Sequence, residues 1–253
     1  MNIQVLVATM HQKDNLLIKK MNIRTDAIVC NQCNQNKYEE FMINDQCVKF
    51  YSFAERGVGL NRNNALMRAT GDIVLFADDD MVYVNNYEEI VNDAFKELPQ
   101  ADVIIFNLKE PTKTRYVITK KRRVGRLNYL RYGTARIAVR LSSIKINGIF
   151  FNQCFGGGTE YSHGEDNLFL TACLDKGLKI FSYPAIIANL TEERESSWNQ
   201  GYTEKYFKDQ GILYHCISKR FWRFLCLQDA IRHQKMYGKK WHVVYRLMTN
   251  NQT

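Results

Sequence analysis

Five apolar residues, Ile73-Val74-Leu75-Phe76-Ala77, run straight into three adjacent carboxylates, Asp78, Asp79 and Asp80. An uninterrupted apolar run of this length suits a strand buried on both faces, as in a sheet covered by helices on either side. In such open sheets ligands bind beyond the carboxyl ends of the strands, which is where this run ends in acids. If the extended backbone continues past the strand, Asp78 and Asp80 share one face and Asp79 opposes them, because side chains alternate. Like charges held that close raise one another's pKa unless a cation neutralises them, and hard oxygen donors suit Mg²⁺ or Mn²⁺. An acidic turn capping the next helix is the structural alternative.

Strands are also expected at residues 3–8, 27–30, 48–53 and 103–107, with a short helical segment from Leu16. Gly57 and Gly59 open, and Gly71 closes, a segment whose Leu60, Ala65, Leu66 and Ala69 recur at helical spacing. Tyr87, Ile90, Val91, Ala94, Phe95 and Leu98 do the same up to Pro99, with Asn86 and Glu89 as a capping box. This alternation predicts an α/β fold with a doubly wound, mostly parallel central sheet. Residues 109–140 break the rhythm with Lys120-Lys121-Arg122-Arg123, which reads either as a solvated loop or as a contact for phosphate or a membrane. Gly156-Gly157-Gly158 allows close backbone approach and suits either a turn lining a ligand or a plain loop. Glu165 and Asp166 then start a helix carrying Leu168, Phe169, Ala172 and Cys173, with Gly177 at its end. Residues 178–183 and 185–190 read as two further strands, and from Trp198 an aromatic, basic stretch reads as helices.

Charge narrows the partners. Lys and Arg number 35 against 26 acids, a formal net charge of +9 that draws the chain toward nucleic acid, an anionic membrane or a phosphorylated ligand. No nucleic-acid recognition motif accompanies it, and acids at strand ends repel phosphates without a metal, so nucleic acid is set aside. Phe221, Phe224 and Leu225 beside Arg220 and Arg223 suit an interfacial face on an anionic leaflet. The alternative is a helix packed on the sheet with a solvated basic side. An odd count of seven cysteines in a chain of 253 residues argues for a reducing compartment, hence the cytoplasm. Cys30-Asn31-Gln32-Cys33 has no second pair to complete a zinc or redox centre. The opening residues lack the make-up of a signal peptide and no run has membrane-spanning length, so any membrane contact is expected to be peripheral, at the inner face.

The two acidic clusters, residues 78–80 and 165–166, both fall at element ends and suggest a division of labour. One holds a metal and a diphosphate; the other supplies a carboxylate that takes a proton from an incoming hydroxyl. A helix dipole is expected to depress the pKa of Asp166. A plain N-cap pair is the alternative for Glu165 and Asp166.

Taken in order, these pieces resemble the metal-dependent, GT-A-fold glycosyltransferases of family 2, particularly small bacterial enzymes of capsule and surface-polysaccharide synthesis. They are Val5-Leu6-Val7-Ala8-Thr9, Asn31-Gln32, Gly59-Leu60-Asn61-Arg62-Asn63-Asn64-Ala65-Leu66, the run from Gly71 through Asp80, Gly164-Glu165-Asp166, and Ser196-Ser197-Trp198-Asn199-Gln200-Gly201-Tyr202. The resemblance implies a Rossmann-like α/β/α sandwich with C-terminal helices. It implies a catalytic domain over residues 1–200, divided into a nucleotide-binding half (1–108) and an acceptor-binding half (109–200), and a helical extension over 201–253 packed on it. The implied activity is inverting transfer of a sugar from a nucleotide donor, UDP-linked, to a hydroxyl of a lipid-linked glycan. Asp78 and Asp80 would hold Mn²⁺ or Mg²⁺, and Thr9, Asn31, Arg62 and Asp79 would line the donor. Asp166 would be the general base with Glu165 beside it, while Gly157, Gly158 and Trp198 would shape the acceptor side. Asn31-Gln32 stands where many relatives carry acids, which leaves the nucleotide preference open. His163 and His215 are the candidates to complete a metal shell, and each reads more simply as an ordinary histidine. A non-catalytic subunit that binds a sugar nucleotide is the alternative, and two intact acidic clusters argue against it.

Overall fold

The most apolar runs build the centre of the sheet. The computed structural model describes residues 1–111, 116–191 and 201–250. Within it β1 (Ile3–Met10), β2 (Asp26–Gln32), β4 (Gln46–Phe53) and β5 (Ile73–Asp78) pair in parallel, in the order β4-β2-β1-β5. Alternation sends Val5, Val7, Val29, Leu75 and Ala77 to one face and Leu6, Ile28, Val74 and Phe76 to the other. On the first face lie α1 (Leu16–Lys20) and α3 (Tyr87–Glu97); on the second lie α2 (Val58–Arg68), α4 (Leu141–Ile146) and α5 (Glu165–Asp175). Each fully buried Val, Leu or Phe contributes about 1.5–3 kcal/mol, so two continuous apolar layers supply the main driving force. This is the expected α/β/α sandwich, with all parallel C-termini of β1, β2 and β5 at one edge.

Beyond β5 the sheet departs from the doubly wound order. β9 (Ile137–Arg140) runs antiparallel between β5 and β7 (Val103–Lys109), β7 pairs in parallel with β10 (Ile180–Leu190), and β6 (Met81–Tyr83) and β8 (Arg122–Val124) lie antiparallel to β10. The sheet is therefore mixed. The two strands expected over residues 178–190 are one: β10 passes through Pro184 with a register shift between Ser182 and Ile186. Proline removes one ladder donor there without ending the strand. β3 (Lys37–Ile43) forms a hairpin with β4 through Asn44 and Asp45, whose φ of 47° and 67° are those of a type I′ turn.

The basic segment is not a free loop, although Lys120, Lys121, Arg122 and Arg123 are all exposed. It supplies β8 and β9, Lys121 pairs with Glu97, buried Arg136 donates to Glu110 at 2.7 Å, and Arg140 donates to the Ala101 carbonyl at 2.8 Å. The expected capping box at α3 does not form, since Asn86 makes no side-chain cap bond; Glu88 and Glu89 still complement the dipole from the first turn.

Three C-terminal helices, α6 (Glu204–Ile217), α7 (Trp222–Tyr237) and α8 (Trp241–Thr249), enclose their own apolar cluster around Phe207, Tyr214, Cys226, Ala230, Tyr237, Val244 and Met248. A Cβ at Gly211 of α6 would lie 1.9 Å from the Met248 carbonyl oxygen, so only glycine admits α8 at this distance. α6 also packs on α5. Among the described residues no helix is long and apolar enough to cross a membrane.

Candidate active site

The site is organised by a polar face of α2. Buried asparagines and an arginine in mid-helix are costly unless partnered, and here each reaches a different element. Asn61 donates to the Thr9 carbonyl at the end of β1 at 3.1 Å. Asn63 donates to the Phe151 carbonyl at 2.9 Å and accepts from the Phe151 amide at 2.8 Å. Between them Arg62, with a side chain only 7% exposed, donates from Nη2 to Asp78 at 2.7 Å and from Nη1 to Glu165 at 2.8 Å. Its guanidinium lies over the Phe151 ring at 5.5 Å. The two carboxylates hold the Arg62 pKa above its already high ordinary value, against the opposing effect of burial. Gly59 makes the docking feasible, because a Cβ there would sit 2.4 Å from the Asn152 carbonyl oxygen.

Arg62 therefore joins the two acidic clusters into one site. Beneath it Phe76 of β5 and Phe169 of α5 meet edge to face at 5.5 Å, and Phe151 stacks on Phe169 at 4.3 Å. This aromatic trio locks the strand carrying Asp78 to the helix carrying Glu165 and Asp166; each such pair is worth about 0.5–1.5 kcal/mol beyond area burial.

The strand-end acids are arranged differently from the alternating pattern read in the sequence. β5 ends at Asp78, and Asp79 and Asp80 form a turn, so the backbone is not extended across all three. Asp78 is drawn to Arg62 with its side chain still 40% exposed. Asp79 accepts from the Thr9 hydroxyl at 2.6 Å and from Gln12 Nε2 at 3.3 Å. Asp79 and Asp80 border one cavity of about 180 Å³ together with Gln12, Asp14, Lys20 and Thr191. Thr191 fixes the turn by donating its amide to the Asp80 carbonyl at 2.8 Å. Among the described residues no three His, Cys, Asp or Glu side chains converge to hold a metal by themselves. Asp80 at the rim of this cavity and the part-exposed Asp78 supply hard oxygen donors of the kind that fit Mg²⁺ or Mn²⁺.

A second cavity of about 630 Å³ adjoins the first and shares Gln12 and Asp14 with it. It lies over the ends of β1, β2 and β4 and is closed by β3, with Lys13, Cys33, Glu39, Phe41 and Ser52 in its lining. Asn31 braces its floor: the side chain is buried, accepts from the Gln12 amide at 3.0 Å, and donates to the Gln12 carbonyl at 3.1 Å and to Ser52 at 3.2 Å. Gln32 likewise accepts from the Gly57 amide at 2.8 Å, tying β2 to the start of α2.

Glu165 and Asp166 begin α5 behind Gly164. The Glu165 side chain is 14% exposed, enclosed by Arg62 and by Gly156, whose position would bring a Cβ within 2.8 Å of the Glu165 carboxyl. Asp166 keeps part of its surface open, and Gly133 backs its carboxyl. Burial and the neighbouring Glu165 charge push its pKa up to about 7, the reverse of the depression expected from the helix dipole. Desolvation and a like charge thus outweigh the helix dipole, the Arg62 charge and the bond from the Asn167 amide.

The glycine loop lines this end of the site: Gly157 accepts from the Val58 amide at 3.0 Å, and Gly156 and Gly158 have φ of 101° and 81°. His163 is not near the strand-end acids in its bonding; Nε2 contacts Gln210 at 2.7 Å, Nδ1 contacts Ser162 at 3.0 Å, and the ring stacks on Tyr206. Buried Asp209 of α6 accepts from the Ser162 amide and hydroxyl at 2.9 and 2.8 Å. His215 packs against Trp222. All seven cysteines are free thiols, and Cys33 donates to the Gln35 carbonyl at 3.2 Å. Trp198, with Ser196 and Ser197, lies outside the described residues.

The structure gathers Thr9, Arg62, Asp78, Asp79, Asp80, Glu165, Asp166 and the glycine loop around one edge. It sets Arg62 among the acids and Asn31 in the cavity floor. Gln12, Asn61, Asn63 and Thr191 were not singled out by role in the sequence; for Gln12 and Thr191 only their positions just past strand ends could have marked them.

Comparison with known proteins gives the family and the fold. The sequence model of the family described as Glycosyl transferase family 2 matches residues 29–155, half of the chain. Three solved structures of TarS from S. aureus share the fold. The 1–349 segment in complex with UDP-GlcNAc is 17% identical with a TM-score of 0.67, covering 93% of this chain and 73% of that one. The 1–349 segment alone gives 14%, 0.63, 98% and 90%. A longer TarS chain gives 17% and 0.65, and this chain spans 44% of its length. A search among curated proteins returned no match.

Proposed function

We propose that this chain, which belongs to glycosyl transferase family 2 and is a glycosyltransferase, moves a sugar with inversion from a nucleotide donor, a UDP-sugar, to a hydroxyl of a lipid-linked glycan. The observation that carries the reading is the Arg62 bridge, which places a solvent-open acid, Asp78, and an enclosed acid pair, Glu165 and Asp166, on opposite sides of one cation. The cavity over β1, β2 and β4 has room for the nucleoside, with Asn31 and Gln12 holding its floor. The UDP-GlcNAc complex of TarS supports a UDP-sugar as donor, and the order of motifs supports an acceptor of the capsule or surface-polysaccharide kind.

Transfer makes one bond, from the acceptor oxygen to the anomeric carbon, and breaks the bond from that carbon to the diphosphate. Asp166 takes the acceptor proton as the new bond forms; a carboxylate whose pKa lies near neutrality is ionised in the working range and basic enough to accept it. Glu165, ion-paired with Arg62, supplies the neighbouring charge that with burial raises that base toward neutrality. Asp78 and Asp80 would hold Mn²⁺ or Mg²⁺, which when bound supplies charge neutralisation for the leaving diphosphate. Asp79, tied to Thr9 and Gln12, fixes the turn that presents them. The glycine loop shapes the acceptor side.

Incubation with UDP-, GDP- and dTDP-sugars, with and without Mn²⁺, tests the reading. Nucleotide release from one UDP-sugar, dependent on Mn²⁺, is expected. Absence of both release and calorimetric donor binding across the panel would overturn it in favour of a non-catalytic role.

A further inference from the structure

The outer face of α7 sets a stripe of exposed apolar side chains among cations. Its inward residues Cys226, Ala230 and Tyr237 are buried in the C-terminal core. Yet Phe224 and Ile231, seven residues apart and therefore on one stripe, are 64% and 48% exposed, and Phe221 just before the helix is 56% exposed. Large apolar side chains exposed on the side away from the core are candidates for a cover of their own.

The charge around this stripe says what the cover is. Residues 201–250 hold ten Lys and Arg against three acids, so this part of the chain carries most of the net charge of +9. Two of those acids face inward: Asp209 bonds Ser162 and Lys205, and Asp229 accepts from Tyr237 at 2.9 Å. Arg220 and Arg223 are exposed beside Phe221 and Phe224, and Lys235 extends the stripe one turn past Ile231. A second copy of this face would bring like charges together. A nucleic acid offers phosphates but no apolar phase for Ile231, which has no ring for base stacking. An anionic lipid surface satisfies both halves, acyl chains for the Phe and Ile side chains and head-group phosphates for the cations.

We propose that α7 is a membrane-docking surface, lying in the plane of an anionic bilayer with Phe221, Phe224 and Ile231 at the acyl boundary and Arg220, Arg223 and Lys235 at the head groups. Trp241, 42% exposed at the start of α8, adds an interfacial side chain. The surface goes beyond the catalytic reading, and the two fail separately: vesicle binding reads one and nucleotide release the other.

The test is co-sedimentation of the full chain with phosphatidylcholine vesicles, pure or carrying about a third phosphatidylglycerol. The chain should pellet with the anionic vesicles and stay in solution with the neutral ones. Phe224→Ser/Ile231→Ser should weaken partitioning by at least about tenfold at unchanged charge. Arg220→Gln/Arg223→Gln should remove the preference for phosphatidylglycerol. Both variants should keep the thermal melt and nucleotide release of the parent, because the altered side chains are exposed. Equal pelleting of the Phe224/Ile231 variant and the parent would overturn the proposal. So would a parent that sediments as a dimer in free solution and becomes monomeric in that variant, since a second copy would then be the cover.

Discussion

Two acidic clusters of similar composition occupy opposite walls of one site, and their surroundings give them different chemistry. At the end of β5, Asp78 is 40% exposed, and Asp79 and Asp80 border a cavity. At the start of α5, Glu165 is 14% exposed and Asp166 is pushed up to about 7 by burial and by that neighbour. Carboxylates open to a cavity can take a cation, whereas enclosure raises Asp166 to about 7, where a carboxylate can accept a proton near neutral pH. Residue type alone does not distinguish a cation site from a base, and solvation does.

The largest test of this contrast is Asp166→Asn. It should lower turnover by about 10²–10⁴-fold, the worth of a positioned base, while calorimetry shows donor binding intact. Unchanged turnover would remove the base from this wall. Asp80→Asn should act the other way, weakening Mn²⁺-dependent donor binding by on the order of a hundredfold while leaving metal-free binding of the nucleotide alone. Arg62→Ala should cost about 3 kcal/mol in urea unfolding, because Glu165 is left buried and unpaired while Asp78 regains water. Arg62→Lys should recover only part, since an ammonium cannot fork to both acids. In the parent, kcat/KM should fall about tenfold per pH unit below about 7 and level off above it, as the base must be ionised.

The smallest effect concerns stability. The Asp166 pKa is raised from 3.8 to about 7, so the folded state binds this proton more tightly than the unfolded chain. The group therefore lowers stability progressively as pH rises through that window. Asp166→Asn should melt higher than the parent at pH about 8, with the gap closing near pH about 4. A gap that grows toward acid would mean that the carboxylate is stabilised, not penalised, by its surroundings.

The legible parts of the fold were those whose burial is written in consecutive residues. β1, β2, β4, β5 and β7 are apolar runs, and α2, α3 and α5 show helical spacing between glycines or a proline. β3 was not read because Lys37, Tyr38, Glu39 and Glu40 are exposed, although Asn44-Asp45 was the hairpin signal. β9 was hidden because Ile137, Ala138 and Val139 are a short run at the end of a basic stretch. In the site, both acid clusters were visible as local motifs. The work of Asn61 and Asn63 was not, because their partners lie 52 and 88 residues away. The reversal at Asp166 was hidden for the same reason: local sequence shows the helix start, but not the packing that removes water from it.

Gly164, the residue before Glu165 and Asp166, has φ of 110° and faces Leu213 of α6, whose Cδ2 would lie 2.6 Å from any Cβ placed there. The wall of this turn is thus built by a helix some fifty residues later in the chain. In evolutionary terms the two segments are inherited together: a C-terminal helix exchanged from another protein would bring a new side chain against Gly164 and move the acids that follow it. Variation in this tail is therefore constrained on the face of α6 that meets α5.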